Sequence, residues 1–437
     1  MRDARAMQSR LVRVINRAGV WMGPRISLDP RRLMEQARLA TGLEDFGRSG
    51  FEAGLGVLVD SWESEARFHL VGRLLARREL LRCLANRLQV EEYFRRNPET
   101  ASVPVPDPVI VTGPPRSGTT LLHRLLAADP ANRTLRAWEL FAPAPRDFAP
   151  ARGDDPRLAA LARGMALRRK LLLSAAGRKA AKAAHHFEAG EPEECSPLLQ
   201  DSFCTEIFAL HGRADRYVGW LREQDWTPAF GYHRKQIQIL TAAQPASRLV
   251  LKHPPYLGHL DDLFRVYPNA RVLWLHRDPL EVVASGCSLC ATARAIRTDA
   301  LDPGHIGASI VNGTLWRFGR GMRSRALAPD RFLDVWYRDL TRNPLAAVAR
   351  IYKWLGFPLT AEAERAFMDY LQRNRKERSG LRHEYALEEF GLDAATLRPM
   401  FRDYCERFQL GSARAAVAPD AASAGPDGSP RNANDDA

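Results

Sequence analysis

Long apolar runs and cysteine are both scarce in this sequence. No stretch approaches the ~18 consecutive apolar residues of a membrane-spanning helix. No uninterrupted apolar segment precedes a small-residue cleavage site near the start, so no secretory signal is expected. Six cysteines in 437 residues are too few and too scattered for a disulfide scaffold. Cys287 and Cys290 form a C-x-x-C pair without a second pair, and they fall in a predicted helix. They are read as buried thiols, and no metal site is expected. A reducing, cytoplasmic setting is the default. The basic run from Arg163 to Lys182 lacks interleaved aromatic residues, so it offers no stacking platform for bases. It is read as a solvated face, and no nucleic-acid partner is expected.

What is present is ordinary for a globular protein, with 45% hydrophobic and 26% charged residues. The net charge of +13 suits an anionic ligand, a membrane surface or nucleic acid, and by itself selects none of them.

The most informative stretch is Val109 to Leu126. Val109-Ile110-Val111-Thr112 is a β-branched run suited to a buried parallel strand. Gly113-Pro114-Pro115-Arg116-Ser117-Gly118 is a turn-rich loop. Thr119-Thr120 then open an apolar helical pattern through Leu121, Leu122, Leu125 and Leu126. Strand, glycine loop and helix N-terminus together make an anion cradle. The spacing is that of a phosphate-binding loop, except that Thr119 stands where the nucleotide-triphosphatase pattern requires Lys. Arg116 is the only cation in the loop.

Residues 1–100 read as a helical region. Leu11, Ile15, Ala18 and Met22 share one helical face with Arg10, Arg13 and Arg17 interleaved. Such a helix either packs on the main domain, the preferred reading, or lies on a membrane surface. Trp62, Ala66, Leu70 and Leu74 continue at i+4 spacing, as do Leu80, Leu84 and Leu88. A proline-rich segment from Thr100 to Pro108 leads into an α/β region over 101–411. There strands are expected at 248–252, 270–276 and 332–337. Helices are expected at 257–266, after Asp278-Pro279, and from Asn343-Pro344 to the stop at Gly356. This rhythm implies a parallel sheet covered by helices on both faces, with ligands beyond the strands' carboxyl ends. Arg116, Lys252, Arg277 and Tyr337 all fall at or just past such ends. The segment from His185 to Cys195 gathers titratable groups, His186, Glu193 and Glu194 among them, that could supply a general base. Residues 412–437 are too poor in apolar groups to order and read as a disordered tail.

Pro115-Arg116-Ser117-Gly118-Thr119-Thr120 resembles the phosphosulfate loop of sulfotransferases that use 3′-phosphoadenosine 5′-phosphosulfate (PAPS), in particular a bacterial branch. Further matches follow in order. Arg277 with Ser285 is similar to that family's 3′-phosphate site. Leu251-Lys252-His253-Pro254 resembles the segment with a catalytic Lys. Trp336-Tyr337-Arg338-Asp339-Leu340 resembles the segment whose Tyr approaches adenine. His383-Glu-Tyr385 and Phe390-Gly391-Leu392 resemble the C-terminal segment of the bacterial branch. A clear R-K-G run is missing, with Arg373, Arg375, Lys376 and Arg378 before Gly380 in its place.

The resemblance implies PAPS as sulfuryl donor, held by Arg116, Ser117, Gly118, Thr119, Thr120, Arg277, Ser285 and Tyr337. Transfer goes to an acceptor hydroxyl or amine on a small molecule, lipid or carbohydrate. Arg116 and Lys252 are expected to stabilise developing charge. His186 or Glu194 is expected to act as base, with His253 and Glu193 as further options. The competing reading is a P-loop kinase, against which Thr119 in the lysine position argues.

Overall fold

The computed structural model describes residues 4–19, 25–48, 50–148, 155–184, 187–378 and 386–410. Among the described residues, five strands form one parallel sheet: β1 (Val109–Thr112), β2 (Asn132–Thr134), β3 (Arg248–Lys252), β4 (Arg271–His276) and β5 (Phe332–Trp336), in the order β2-β3-β1-β4-β5. All four residues of β1 are buried, as a central strand with both faces covered requires. The alternation of side chains sorts them between two cores. Val109 and Val111 face one core with Leu122, Leu125, Leu273, Leu275, Val348 and Phe367. Ile110 faces the other with Leu249, Leu251, Trp274, Leu84, Trp62 and Phe203. That second core also contains Leu33, Leu55 and Leu80, so the N-terminal helices and the sheet share one apolar interior.

The Pro279–Arg294 helix starts, and the Pro344–Leu355 helix starts and stops, where the sequence signals it. Asp278 caps the Pro279–Arg294 helix by accepting from Leu280 N at 2.8 Å. Asn343 accepts from Ala346 N at 3.1 Å, and Gly356 closes the Pro344–Leu355 helix at φ 71°. Cys287 and Cys290 are buried free thiols in the Pro279–Arg294 helix. Among the described residues, no cluster of His, Cys, Asp and Glu is suited to a metal, and no helix is long and apolar enough to cross a membrane.

Several expectations need correction. The 257–266 segment is a 3-10 turn, Pro254–Gly258, followed by the Leu260–Val266 helix. The i+4 series from Trp62 is split between the Phe51–Glu65 and Leu70–Arg96 helices, with Arg67 at φ 48° in the break. Its last member, Leu74, is 46% exposed. The Arg10–Ala18 helix buries Val12 and Asn16, so its Leu11 and Ile15 stripe is not the packing face. Met22, His186, His383–Tyr385 and 411–437 lie outside the described residues.

Among the described residues, six buried or largely buried histidines have pKa values lowered by burial: His69, His123, His211, His233, His259 and His276. Burial, with the Lys252 charge nearby, takes His123 to about 3. Burial, with His253 nearby, takes His233 to about 3. In the unfolded chain these rings protonate near 6.5. Between that value and about 3, the unfolded state therefore binds more protons and stability falls as pH falls. Each fully buried ring removes up to about 1.4 kcal/mol per pH unit. Asp201, raised to about 7 by burial, acts in the opposite sense. Six groups against one predicts a urea midpoint that drops from pH 7 to pH 5, with a shallower drop in His123→Gln. A midpoint flat over that range would contradict this.

Candidate active site

β1 hands over to the Thr119–Leu126 helix through the 113–118 loop, and the loop needs unusual torsions. Gly113, Arg116 and Gly118 sit at φ 139°, 70° and 95°. A Cβ on Gly113 would lie 2.5 Å from the Leu275 carbonyl of β4, and one on Gly118 would lie 2.9 Å from Cδ2 of Tyr337. The loop is thus pressed between β4 and the start of the Tyr337–Arg342 helix. Arg116 carries a side chain in the left-handed region, a strained choice of the kind that clusters at ligand loops.

The residues present fit an anionic group at this loop. Ser117 is fully buried, and its Oγ has no hydrogen-bond partner in the protein. By helix geometry, the first N–H groups of the Thr119–Leu126 helix have no intrahelical acceptor. Cations complete the cradle from neighbouring strand ends. Arg277, just after β4, donates from Nη1 to the Arg116 carbonyl at 2.7 Å, and its guanidinium lies 4.3 Å from the Tyr337 ring centroid. It also donates from Nε to Glu281 Oε2 at 2.8 Å. Arg116 Nε donates to Ser285 Oγ at 3.1 Å. Arg116, Arg277, Ser285 and Tyr337 therefore form one cluster, on the β4 and β5 side of the loop.

Lys252 ends β3 on the other side. Its side chain is fully buried, and Nζ donates to Glu194 Oε1 at 2.7 Å. Nζ also reaches Thr120 Oγ1 at 3.5 Å and lies 3.6 Å from Glu193 Oε1. Glu194 Oε2 is 3.6 Å from His253 Nδ1. His253 is buried, and neither ring nitrogen has a hydrogen-bond partner in the protein. Backbone pairing holds this group together. Glu193 N donates to the Leu135 carbonyl at 3.0 Å, and Cys195 N to the Lys252 carbonyl at 3.0 Å. The acidic segment is laced across the ends of β2 and β3, which brings Glu194 to the lysine. Thr112 Oγ1 fixes the turn after Lys252 by donating to the carbonyls of His253 and Pro254, both at 3.1 Å.

One cavity of about 570 Å³ joins the two sides. Arg116, Gly118, Thr119, Thr120, Glu194, His253, Arg277 and Tyr337 line its floor. From there it runs between helices whose Ile207, Leu210, Val218, Leu289 and Ile310 make apolar wall patches, with Glu206, Asp215, Arg222, Arg294, His305 and Arg317 among them. Its volume lies within the range of small-molecule sites, which are mostly apolar with a few placed polar groups. Sequence reading missed these wall residues. They come from four separate helices, and only tertiary packing makes them neighbours. His186 is the one predicted site residue that the structure does not describe.

A twisted parallel sheet with an anion loop after its central strand, flanked by cationic strand ends, defines a P-loop type transferase fold. Residues 108–361 match the model of the sulfotransferase family, and the chain belongs to that family. The solved sulfotransferase STF9 of Mycobacterium avium is 30% identical, with a TM-score of 0.77 over 87% of this chain and 96% of that one. STF1 of Mycobacterium tuberculosis is 30% identical, with a TM-score of 0.74 over 85% of this chain and 98% of that one. Omega-hydroxy-beta-dihydromenaquinone-9 sulfotransferase Stf3 of Mycobacterium bovis is 26% identical over 275 residues, which are 60% of this chain and 66% of that protein. The bacterial sulfotransferase resemblance and the parallel α/β architecture expected from sequence are both borne out.

Proposed function

We propose that the chain transfers a sulfuryl group from PAPS to the hydroxyl of an acceptor whose body is apolar. The observation that carries this reading is the cavity that runs from the anion loop past Glu194, the ion-pair partner of the buried Lys252, to a chamber with apolar walls. Family membership supports the donor, and the unpartnered Ser117 Oγ gives its 5′-phosphosulfate an additional donor. PAPS, when bound, supplies an activated sulfur whose bond to the 5′-phosphate oxygen breaks as the bond to the acceptor oxygen forms.

The protein's part is positioning and charge stabilisation, as in phosphoryl transfer. Ser117, Thr119, Thr120 and the backbone donors of the loop hold the 5′ end. Arg116, Arg277 and Ser285 offer a forked set of donors for phosphate oxygens, with Tyr337 as an aromatic wall. Lys252 neutralises charge on the departing oxygen. Glu194 receives the acceptor's proton. The apolar walls favour a lipid-like acceptor over a sugar, and one relative is named for an omega-hydroxy menaquinone derivative.

The reading is tested by incubating the protein with PAPS and three acceptor classes, a long-chain lipid alcohol, a phenol and a sugar, and looking for added sulfonate by mass spectrometry. Sulfonation of the lipid alcohol ahead of the others is expected. Product from none of the three, with no release of adenosine 3′,5′-bisphosphate, would overturn it. The donor end has its own test. Loss of a charged forked contact costs on the order of 1.5–3 kcal/mol. Arg277→Ala should therefore shrink the preference for adenosine 3′,5′-bisphosphate over adenosine 5′-phosphate, read by titration calorimetry. An undiminished preference would remove Arg277 from the 3′-phosphate site.

A further inference from the structure

The Arg10–Ala18 helix is turned inside out. Its buried side presents Val12 and a polar residue, Asn16, whose Oδ1 accepts from Val71 N at 3.0 Å. Its solvent side presents Leu11, Val14 and Ile15, which are 48%, 62% and 36% exposed. Positions i, i+3 and i+4 share one helical face, so the three form a continuous stripe. A second stripe adjoins it. Leu167 and Leu171, 57% and 40% exposed, lie one turn apart on the Pro156–Leu172 helix. Ser9 joins the two helices, donating from Oγ to the Leu171 carbonyl at 2.5 Å and from N to the Leu172 carbonyl at 3.0 Å. Exposed aliphatic groups gathered this way mark an interaction surface.

Charge identifies what that surface meets. The helices Ala4–Met7, Arg10–Ala18, Pro156–Leu172 and Ala175–Ala184 carry twelve Arg and Lys residues and no Asp or Glu. The whole chain has 64 basic and 51 acidic residues, a net +13, so the rest of the molecule is left at +1. Arg10, Arg17, Arg163 and Lys170 are exposed around the apolar stripes. An aliphatic centre in a predominantly cationic field is complementary to acyl chains beneath anionic headgroups. None of the five exposed apolar residues is aromatic, so nucleic-acid bases find nothing to stack on.

We propose that this face docks the protein onto an anionic lipid bilayer. The Leu11, Val14, Ile15, Leu167 and Leu171 side chains enter the headgroup boundary, and the surrounding cations hold the lipid phosphates. The Ala175–Ala184 helix packs against the Pro279–Arg294 helix, whose Gly286, Leu289 and Cys290 line the cavity. The docking face is therefore one helix away from the acceptor chamber.

The test is flotation of the full chain with vesicles of phosphatidylcholine alone and with phosphatidylglycerol added. Wild type is expected to float with the anionic vesicles and not with the neutral ones, and less at high salt. The double variant Leu11→Asp with Ile15→Asp should bind at least about tenfold more weakly. Arg10→Glu with Arg17→Glu should weaken binding by a similar factor. Both pairs are exposed, so the urea midpoint and adenosine 3′,5′-bisphosphate affinity should stay native in both variants. No flotation, or equal flotation with neutral vesicles, would overturn the proposal. So would full binding by the Leu11→Asp, Ile15→Asp variant alongside loss in the charge variant, which would make this a plain polyanion surface for RNA or an acidic protein.

Discussion

Lys252→Met is expected to lower transfer by roughly 10²–10³-fold, the loss typical when one preorganised donor to a developing anion is removed. It is also expected to destabilise the fold. Lys252 Nζ is fully buried and lies within 4 Å of both Glu193 and Glu194. Removing it leaves two neighbouring carboxylates without this cation. Breaking a fully buried pair costs about 3–5 kcal/mol. Glu194 retains 23% side-chain exposure, so water offsets part of that, and the cost here should sit near the lower end, on the order of 3 kcal/mol. The two effects separate in the double variant Lys252→Met with Glu194→Gln. Taking away both charges should restore much of the stability, because an apolar replacement of a pair is often neutral, while activity stays lost. Urea unfolding and single-turnover assays measure the two sides. If Lys252→Met turned over at the native rate, the lysine would have no part in neutralising the leaving group.

The sequence revealed most where function is local. From Val109 to Thr120, strand, loop and helix follow one another, and each residue's neighbours in sequence are its neighbours in space. The strand ends carrying Lys252, Arg277 and Tyr337 were legible for a related reason: β-branched and leucine-rich runs announce buried strands, and parallel topology fixes where their ends go. β2 was not legible. Asn132-Arg133-Thr134 has no apolar pattern and is held by side chains instead. Asn132 Nδ2 donates to the Leu126 carbonyl at 2.9 Å and to Tyr352 Oη at 2.8 Å, and Arg133 pairs with Glu139.

Periodicity found the Arg10–Ala18 helix but not its orientation, since an apolar stripe says which residues go together and not whether they go inward. The base presented a different problem. In sequence, Glu194 and His253 were rivals in separate segments. In space they are neighbours on one lysine, because backbone bonds from residues 193 and 195 tie the acidic segment to the sheet. No local pattern encodes that pairing.

Glu194→Gln is the expected largest single loss in turnover, about 10²–10⁴-fold, the range for removing a positioned general base. Glutamine keeps the shape of the side chain and can still accept from Lys252, so the cavity and the nucleotide site should be undisturbed. It cannot take a proton. Adenosine 3′,5′-bisphosphate affinity should therefore stay near native while the chemical step slows. Geometry favours Glu194 because its carboxylate lines the cavity and is partly exposed, whereas the His253 ring is only 1% exposed. The 3.6 Å separation of Glu194 Oε2 and His253 Nδ1 allows one further arrangement. There the imidazole takes the proton at Nε2 and Glu194 orients the ring from Nδ1. His253→Ala distinguishes them. If Glu194 acts directly, His253→Ala should retain most of its turnover. If Glu194→Gln is active and His253→Ala is dead with intact nucleotide affinity, the imidazole is the base. If both variants are impaired to the same extent and the double variant is no worse than either, the two work as one unit. Native turnover in both single variants would place the base outside this cluster altogether, and Lys252 would then hold Glu194 for structural reasons alone.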